Sequence, residues 1–135
     1  MERICLAVTS LILLGLSLPA CVHPTQLASV DVRPTAVTVV GTGANATAQF
    51  IADGHFVHPT ETRDITNQVT WTSTFSGVAS VTSKGLATSG NNCGITTITA
   101  TAGNNIGVPF TPQAITFATA SFTVAEPGVM GCPQM

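Results

Sequence analysis

From Glu61 to Ala102 the chain reads ETRDITNQVTWTSTFSGVASVTSKGLATSGNNCGITTITATA, a run that alternates, turns and alternates again without one helical stripe. Residues two apart share a face of a strand, so Val69 and Trp71 fall together opposite Thr70 and Thr72, and Ile98 falls with Ala100. Ala79 and Val81 do the same between them. A surface helix would need apolar residues three and four apart, which is not the period seen. The alternation extends outside this stretch. Val30 and Val32 oppose Asp31 and Arg33; Ala48, Phe50 and Ala52 oppose Thr47, Gln49 and Ile51; Ala120, Phe122 and Val124 form a last set. Pro34, which cannot donate to a ladder, separates the first set from a short segment at 37–40, and Gly41-Thr42-Gly43 reads as the turn after it. The pattern predicts about seven strands and a core of Phe50, Val69, Trp71, Val81, Ile98 and Phe122, with Trp71 at its centre. Burying a side chain of the Val, Ile or Phe class contributes roughly 1.5–3 kcal/mol, which offsets much of the ordering cost of a small domain.

Three pieces of the pattern recur in a fixed order: Arg63-Asp64-Ile65-Thr66 before Val69-Thr70-Trp71, then Val78-Ala79-Ser80-Val81, then Gly85-Leu86-Ala87-Thr88 before Ile95-Thr96-Thr97-Ile98-Thr99-Ala100. Together they resemble the group 2 bacterial immunoglobulin-like domain, the repeat of intimin- and invasin-type surface proteins, over residues 28–125. The resemblance implies an all-β, immunoglobulin-like antiparallel β-sandwich that binds rather than catalyses, in an adhesion-type or protein–protein role. It also implies that Asp64 stands at the entry to the Trp71 strand, where a short carboxylate accepts backbone N–H bonds in an Asx-type turn.

The first twenty residues set an address. Arg3 precedes an apolar run from Ile4 to Leu18, the layout of a signal peptide. At about 1.5 Å per residue that run spans roughly 22 Å, short of the roughly 30 Å hydrocarbon core of a bilayer, so a permanent transmembrane helix is the poorer reading. Leu18-Pro19-Ala20-Cys21 resembles the lipobox of bacterial lipoproteins, which implies cleavage before Cys21 and lipidation of its thiol; ordinary signal cleavage after Ala20 is the alternative. Two lipid signals anchor stably where one chain binds marginally, so the lipidated form is expected to stay on the membrane. With Val22 after the cysteine, the resemblance implies the outer membrane if the envelope is double. The expected organisation is a signal peptide at 1–20, a lipidated cysteine and tether at 21–27, the domain at 28–126 and a tail at 127–135.

Charged residues make up only 7% of the chain. Beyond the leader, Arg33, Arg63 and Lys84 stand against Asp31, Asp53, Glu61, Asp64 and Glu126, three cations to five anions and a net charge of −2. Without a basic run or interleaved aromatics, nucleic acid is not an expected partner. Low charge does not signal disorder when 44% of residues are apolar and the strands are rich in Val, Ile, Phe and Thr.

Cysteine usage fits an exported protein. If Cys5 leaves with the leader and Cys21 takes lipid, Cys93 and Cys132 remain as a pair. Cys93 precedes the penultimate predicted strand and Cys132 follows the last. Those two strands run antiparallel, so both cysteines fall at one end of the sandwich and are expected to bond; two free thiols or intermolecular pairing are the alternatives.

No nucleophile-elbow or other catalytic signature frames the Ser, His and Asp residues, so no catalytic residue, cofactor or metal is expected. Asp53-Gly54-His55-Phe56-Val57-His58 gathers potential metal ligands, but in an extended strand His55 and His58 point to opposite faces, and solvated loop residues are the simpler reading. Carbohydrate binding is disfavoured because the chain has no Tyr and its single Trp is assigned to the core. The long apolar segment from Gly103 to Thr116, with Ile106, Val108 and Phe110, either offers a contact or folds back over the open end of the sandwich. The expected partners are the membrane, through the N-terminal lipid, and an envelope or surface protein. A structural accessory subunit of an envelope assembly is the competing class.

Overall fold

The computed structural model describes residues 25–44, 46–103, 106 and 116–135, and among these the chain forms ten strands and no helix. They are β1 (Gln26–Arg33), β2 (Ala36–Val40), β3 (Thr47–Gln49), β4 (Ile51–Val57), β5 (Glu61–Asp64), β6 (Val69–Ser73), β7 (Ala79–Val81), β8 (Leu86–Ser89), β9 (Gly94–Ala102) and β10 (Thr116–Ala125). One sheet has the order β2-β10-β9-β6; two smaller sheets have the orders β1-β4-β5 and β3-β8-β7. The smaller sheets share one length of chain, because only Phe50 separates β3 from β4. That run pairs first with β8, then with β1 and β5. The result is an all-β sandwich whose inner faces meet where the Phe50 and Phe122 rings pack edge to face, 6.3 Å between centroids.

Ten strands replace the expected seven through three departures. Pro34 splits what would be one strand into β1 and β2, Phe50 marks the change of partners between β3 and β4, and β5 adds a short hairpin return. The sandwich also departs from a purely antiparallel one: β2 lies parallel to β10, with Ala36 opposite Ser121 and Val40 opposite Ala125. β1 begins at Gln26, and Leu27 is buried, so the tether ends before these two residues rather than at 27. A bulge at Ala28, between the Leu27–Phe56 and Ser29–His55 pairs, lets Leu27 and Val30 both face inward although they are three apart.

Phe50, Ile98 and Phe122 are fully buried, and Val69 lies in the same cluster; Val81 is only partly buried and packs against it. Trp71 is buried but not central. Its indole Nε1 donates to the Thr66 carbonyl at 2.9 Å, a polar requirement that the middle of the sandwich does not meet, so the centre is filled by Phe50, Phe122, Ile98, Val124 and Ile65. Ile65 is a fully buried core residue that alternation leaves out, because it lies in the connection after β5 and belongs to no strand.

The Arg-Asp-Ile-Thr element acts as a clasp. Thr66 N donates to Asp64 Oδ1 at 2.8 Å, Ile65 N donates to the Ala52 carbonyl at 2.8 Å, and Ala52 N donates to Thr66 Oγ1 at 2.9 Å. These bonds fix the entry into β6 against β4. Gly85 closes the other side of Trp71. Its φ is +76°, and a Cβ there would collide with the Phe50 carbonyl and lie 3.2 Å from Trp71 Cζ2, so only glycine fits.

The Thr66 hydroxyl and backbone hold the Asp64 carboxyl below its ordinary value of 3.8. A carboxyl depressed in the folded state contributes stability that is fully present above the unfolded value and is lost as pH falls through the folded one. Melting temperature is therefore expected to fall below about pH 4, with a shallower fall in Asp64→Asn. Identical acid profiles for the two proteins refute the assignment.

Candidate binding face

Charge is segregated between the two layers. On the outer face of β1-β4-β5 the ladder aligns Asp31, Asp53 and Asp64 directly across three strands, an arrangement that repels unless each carboxylate has a partner. Each has one. The Arg33 guanidinium forks onto Asp53, with Nη2 3.1 Å from Oδ1, and Asp53 in turn raises the Arg33 pKa. His55 Nε2 lies 2.7 Å from Asp31 Oδ2, and its Nδ1 lies 3.0 Å from Thr62 Oγ1, so the ring ties β4 to both neighbours. Asp64 turns back to Thr66. Along the open edge at β5, the Arg63 guanidinium lies 4.1 Å over the Phe56 ring and 2.6 Å from Glu61, shielding the core and blunting the edge with charge.

The outer face of the four-stranded sheet carries no titratable side chain among the described residues. Hydroxyls cover it in register. Thr72, Thr99 and Thr119 form one row across β6, β9 and β10; Thr70, Thr101 and Phe117 form the next; Thr97 pairs with Ser121, and Thr123 lies between Ile95 and Thr38. Phe117 is 64% exposed and Ile95 60%, with Val40 at the β2 edge 50% exposed. Threonine is stiff at χ1, so ordering this surface against a partner costs little side-chain entropy. Its hydroxyls both donate and accept, and no ion has to be desolvated when the face is covered. Exposed apolar side chains set among them supply area that gains from burial.

This face was not among the sites expected from the sequence. Alternation located its outward threonines, but only the pairing register brings β2, β6, β9 and β10 into one surface. Of the expected interaction loop, Ile106 is buried in the core, which corrects its role as a contact residue and fits the folding back of that part of the segment; Val108 and Phe110 lie outside the described residues. Cys21, the expected lipidation site, also lies outside them. Cys93 and Cys132 are joined by a disulfide with 5.5 Å between α-carbons. His55 is engaged in the Asp31 and Thr62 contacts, and His58 occupies a left-handed backbone position, φ 61°, between β4 and β5.

The residues at 127–135, the tail, fold back on the end of the domain. Glu126 N donates to the Pro133 carbonyl, and the Gln134 amide donates to the carbonyls of Glu126, Val129 and Cys132 at 2.9–3.3 Å while its oxygen accepts from Gly128 N. No protein-family model matches the chain, and no curated protein matches it significantly.

Proposed function

We propose that the protein is a non-catalytic envelope lipoprotein whose bacterial immunoglobulin-like domain docks on a protein of the same envelope through the outer face of β2-β10-β9-β6. The observation that carries this reading is the contrast between two faces: that of β1-β4-β5 is spent on internal ion pairs, while this broader four-stranded face presents only hydroxyls and exposed apolar groups. The lipid anchor at Cys21 rests on the lipobox resemblance, as does the outer-membrane address in a double envelope. An accessory role within an envelope assembly is favoured over a long-range adhesin by geometry. Between Cys21 and the start of β1 at Gln26 the chain reaches at most about 18 Å.

Photo-crosslinking and recovery from intact cells tests the reading. The wild type is expected to capture a discrete envelope protein, and Thr119→Arg and Thr97→Arg, which place a cation on the face, are expected to reduce that capture about tenfold while stability stays within about 0.5 kcal/mol. Cys21→Ala is expected to lose labelled fatty acid and pass to the soluble fraction. Equal capture by the wild type and both face variants would falsify the docking face.

A further inference from the structure

The C-terminal end of the sandwich holds a second arrangement of reactive groups. Ligand atoms of Cys93, Glu126 and Cys132 all lie within 4.8 Å of one another. The register of the last two strands sets part of this geometry. Val124 stands opposite Gly94, so Cys93 and Glu126 emerge side by side from the ends of β9 and β10. The chain then turns back through Gly128 and Gly131, at φ values of +86° and +88°, to return Cys132 to the same place.

The disulfide is not the only thing that holds this turn. Cys132 N donates to the Val129 carbonyl and Val129 N to the Glu126 carbonyl, each at 3.2 Å, beside the Gln134 clamp already described. On the other side, Asn92 N donates to Gly77 O at 3.0 Å and Gly90 N to Val78 O at 2.7 Å, fixing the approach to Cys93. The turn that carries Cys132 is thus held by hydrogen bonds that do not involve the S–S link.

We propose that the reduced form of the Cys93–Cys132 pair, together with Glu126, is a binding site for a thiophilic divalent cation of the zinc class. Tetrahedral zinc, with bonds of about 2.3 Å to sulfur and about 2.0–2.2 Å to a carboxylate oxygen, holds its ligand atoms roughly 3.5–3.8 Å apart, inside the 4.8 Å that encloses the three ligand atoms here. Mixed sulfur and oxygen donors suit zinc better than a softer monovalent copper or a harder magnesium ion. Three protein ligands leave the fourth position to water. The charges agree as well. Two thiolates beside Glu126 would repel one another, and a divalent cation removes that repulsion.

The chemistry balances with a dithiol reductant. The reductant gives two electrons and two protons, closes to its own disulfide, and leaves Cys93 and Cys132 as thiols. Zinc then binds as both thiols release their protons. In the oxidised protein neither sulfur is a thiolate, so the same cluster does not take the metal, and the site opens only under reducing conditions.

The processed, lipidated protein in detergent, in which Cys93 and Cys132 are the cysteines left to titrate, is purified oxidised, then reduced with a phosphine under anaerobic conditions, and titrated with Zn2+ against a chromophoric chelator and separately with Co2+. One equivalent of metal per reduced chain is expected, with thiolate-to-cobalt charge-transfer absorption, and none per oxidised chain. Glu126→Gln should weaken zinc binding by about tenfold or more while retaining the charge-transfer band, and Cys93→Ser with Cys132→Ser should abolish both. Circular dichroism of the reduced, metal-free protein should keep the strand signal. The proposal is overturned by equal binding to the oxidised and reduced forms, by zinc affinity unchanged in Glu126→Gln, or by loss of the fold on reduction, which would remove the preformed site.

Discussion

Replacing Trp71 with alanine is expected to lower the free energy of unfolding by about 3–5 kcal/mol, read as a shift of the urea midpoint at unchanged slope. The loss has three sources. The indole is 7% exposed, so its removal leaves a cavity between layers that cannot close fully. Its Nε1 bond to the Thr66 carbonyl disappears, leaving an acceptor in the clasp between β5 and β6 without that donor. Gly85, shaped to let the indole and Phe50 approach, loses the neighbour it accommodates. A small domain has only about 5–15 kcal/mol of stability, so this one change consumes a large part of it. Trp71→Phe separates the contributions, since it retains an aromatic ring and loses the hydrogen bond, worth about 1 kcal/mol. An alanine variant within 1 kcal/mol of wild type would show that the indole is not a packing element.

Removing the disulfide ranks next. With a sequence separation of 39, the chain-entropy account assigns the Cys93–Cys132 bond about 4 kcal/mol, through restriction of the unfolded chain. Cys93→Ser with Cys132→Ser is the right comparison, because either single change leaves a thiol free to pair between molecules. The double variant and the reduced wild type should melt together, both below the oxidised protein, in the presence of a chelator. A loss under about 1 kcal/mol would mean that the unfolded chain is already held compact near this end. The hydrogen bonds of the Gln134 clamp stabilise the folded turn and not the unfolded chain, so they leave this entropic contribution intact while keeping the tail in place.

Much of the architecture was legible in period-two alternation. Val30 and Val32, Phe50 and Ala52, Val69 and Trp71, Ile98 and Ala100, and Phe122 and Val124 all face inward, because which side of a strand a residue takes depends only on its neighbours in the chain. Pro34 marked a break and Gly41-Thr42-Gly43 a turn for equally local reasons, the missing N–H of proline and the positive φ that Gly41 and Gly43 adopt. The Asx turn at Asp64 belongs to the same class, since donor and acceptor are two residues apart. The meeting of Cys93 and Cys132 was expected from one simple pairing, that of the last two strands as antiparallel neighbours in the chain.

Partner choice did not follow in this way. Nothing near Phe50 in the chain announces that β3 will pair with β8 while β4 pairs with β1 and β5, and nothing in residues 36–40 specifies a parallel match with β10. Both depend on strands far away in sequence competing for the same edge. Ile65 was missed as core because a residue between strands has no alternation to reveal it, and its burial comes from the clasp to β4. The two surfaces with chemical consequence are of the same kind. The alternation of each strand determined that Thr72, Thr99 and Thr119 point outward, and that Asp31 and Asp53 do too. Only the register between strands decided that the hydroxyls form one uncharged face, that the carboxylates line up in a row needing Arg33 and His55, and that Glu126 stands beside two sulfurs. Side-chain direction is a property of the local backbone, whereas surface composition is a property of non-local pairing, and pairing is settled by the packing of the whole sandwich.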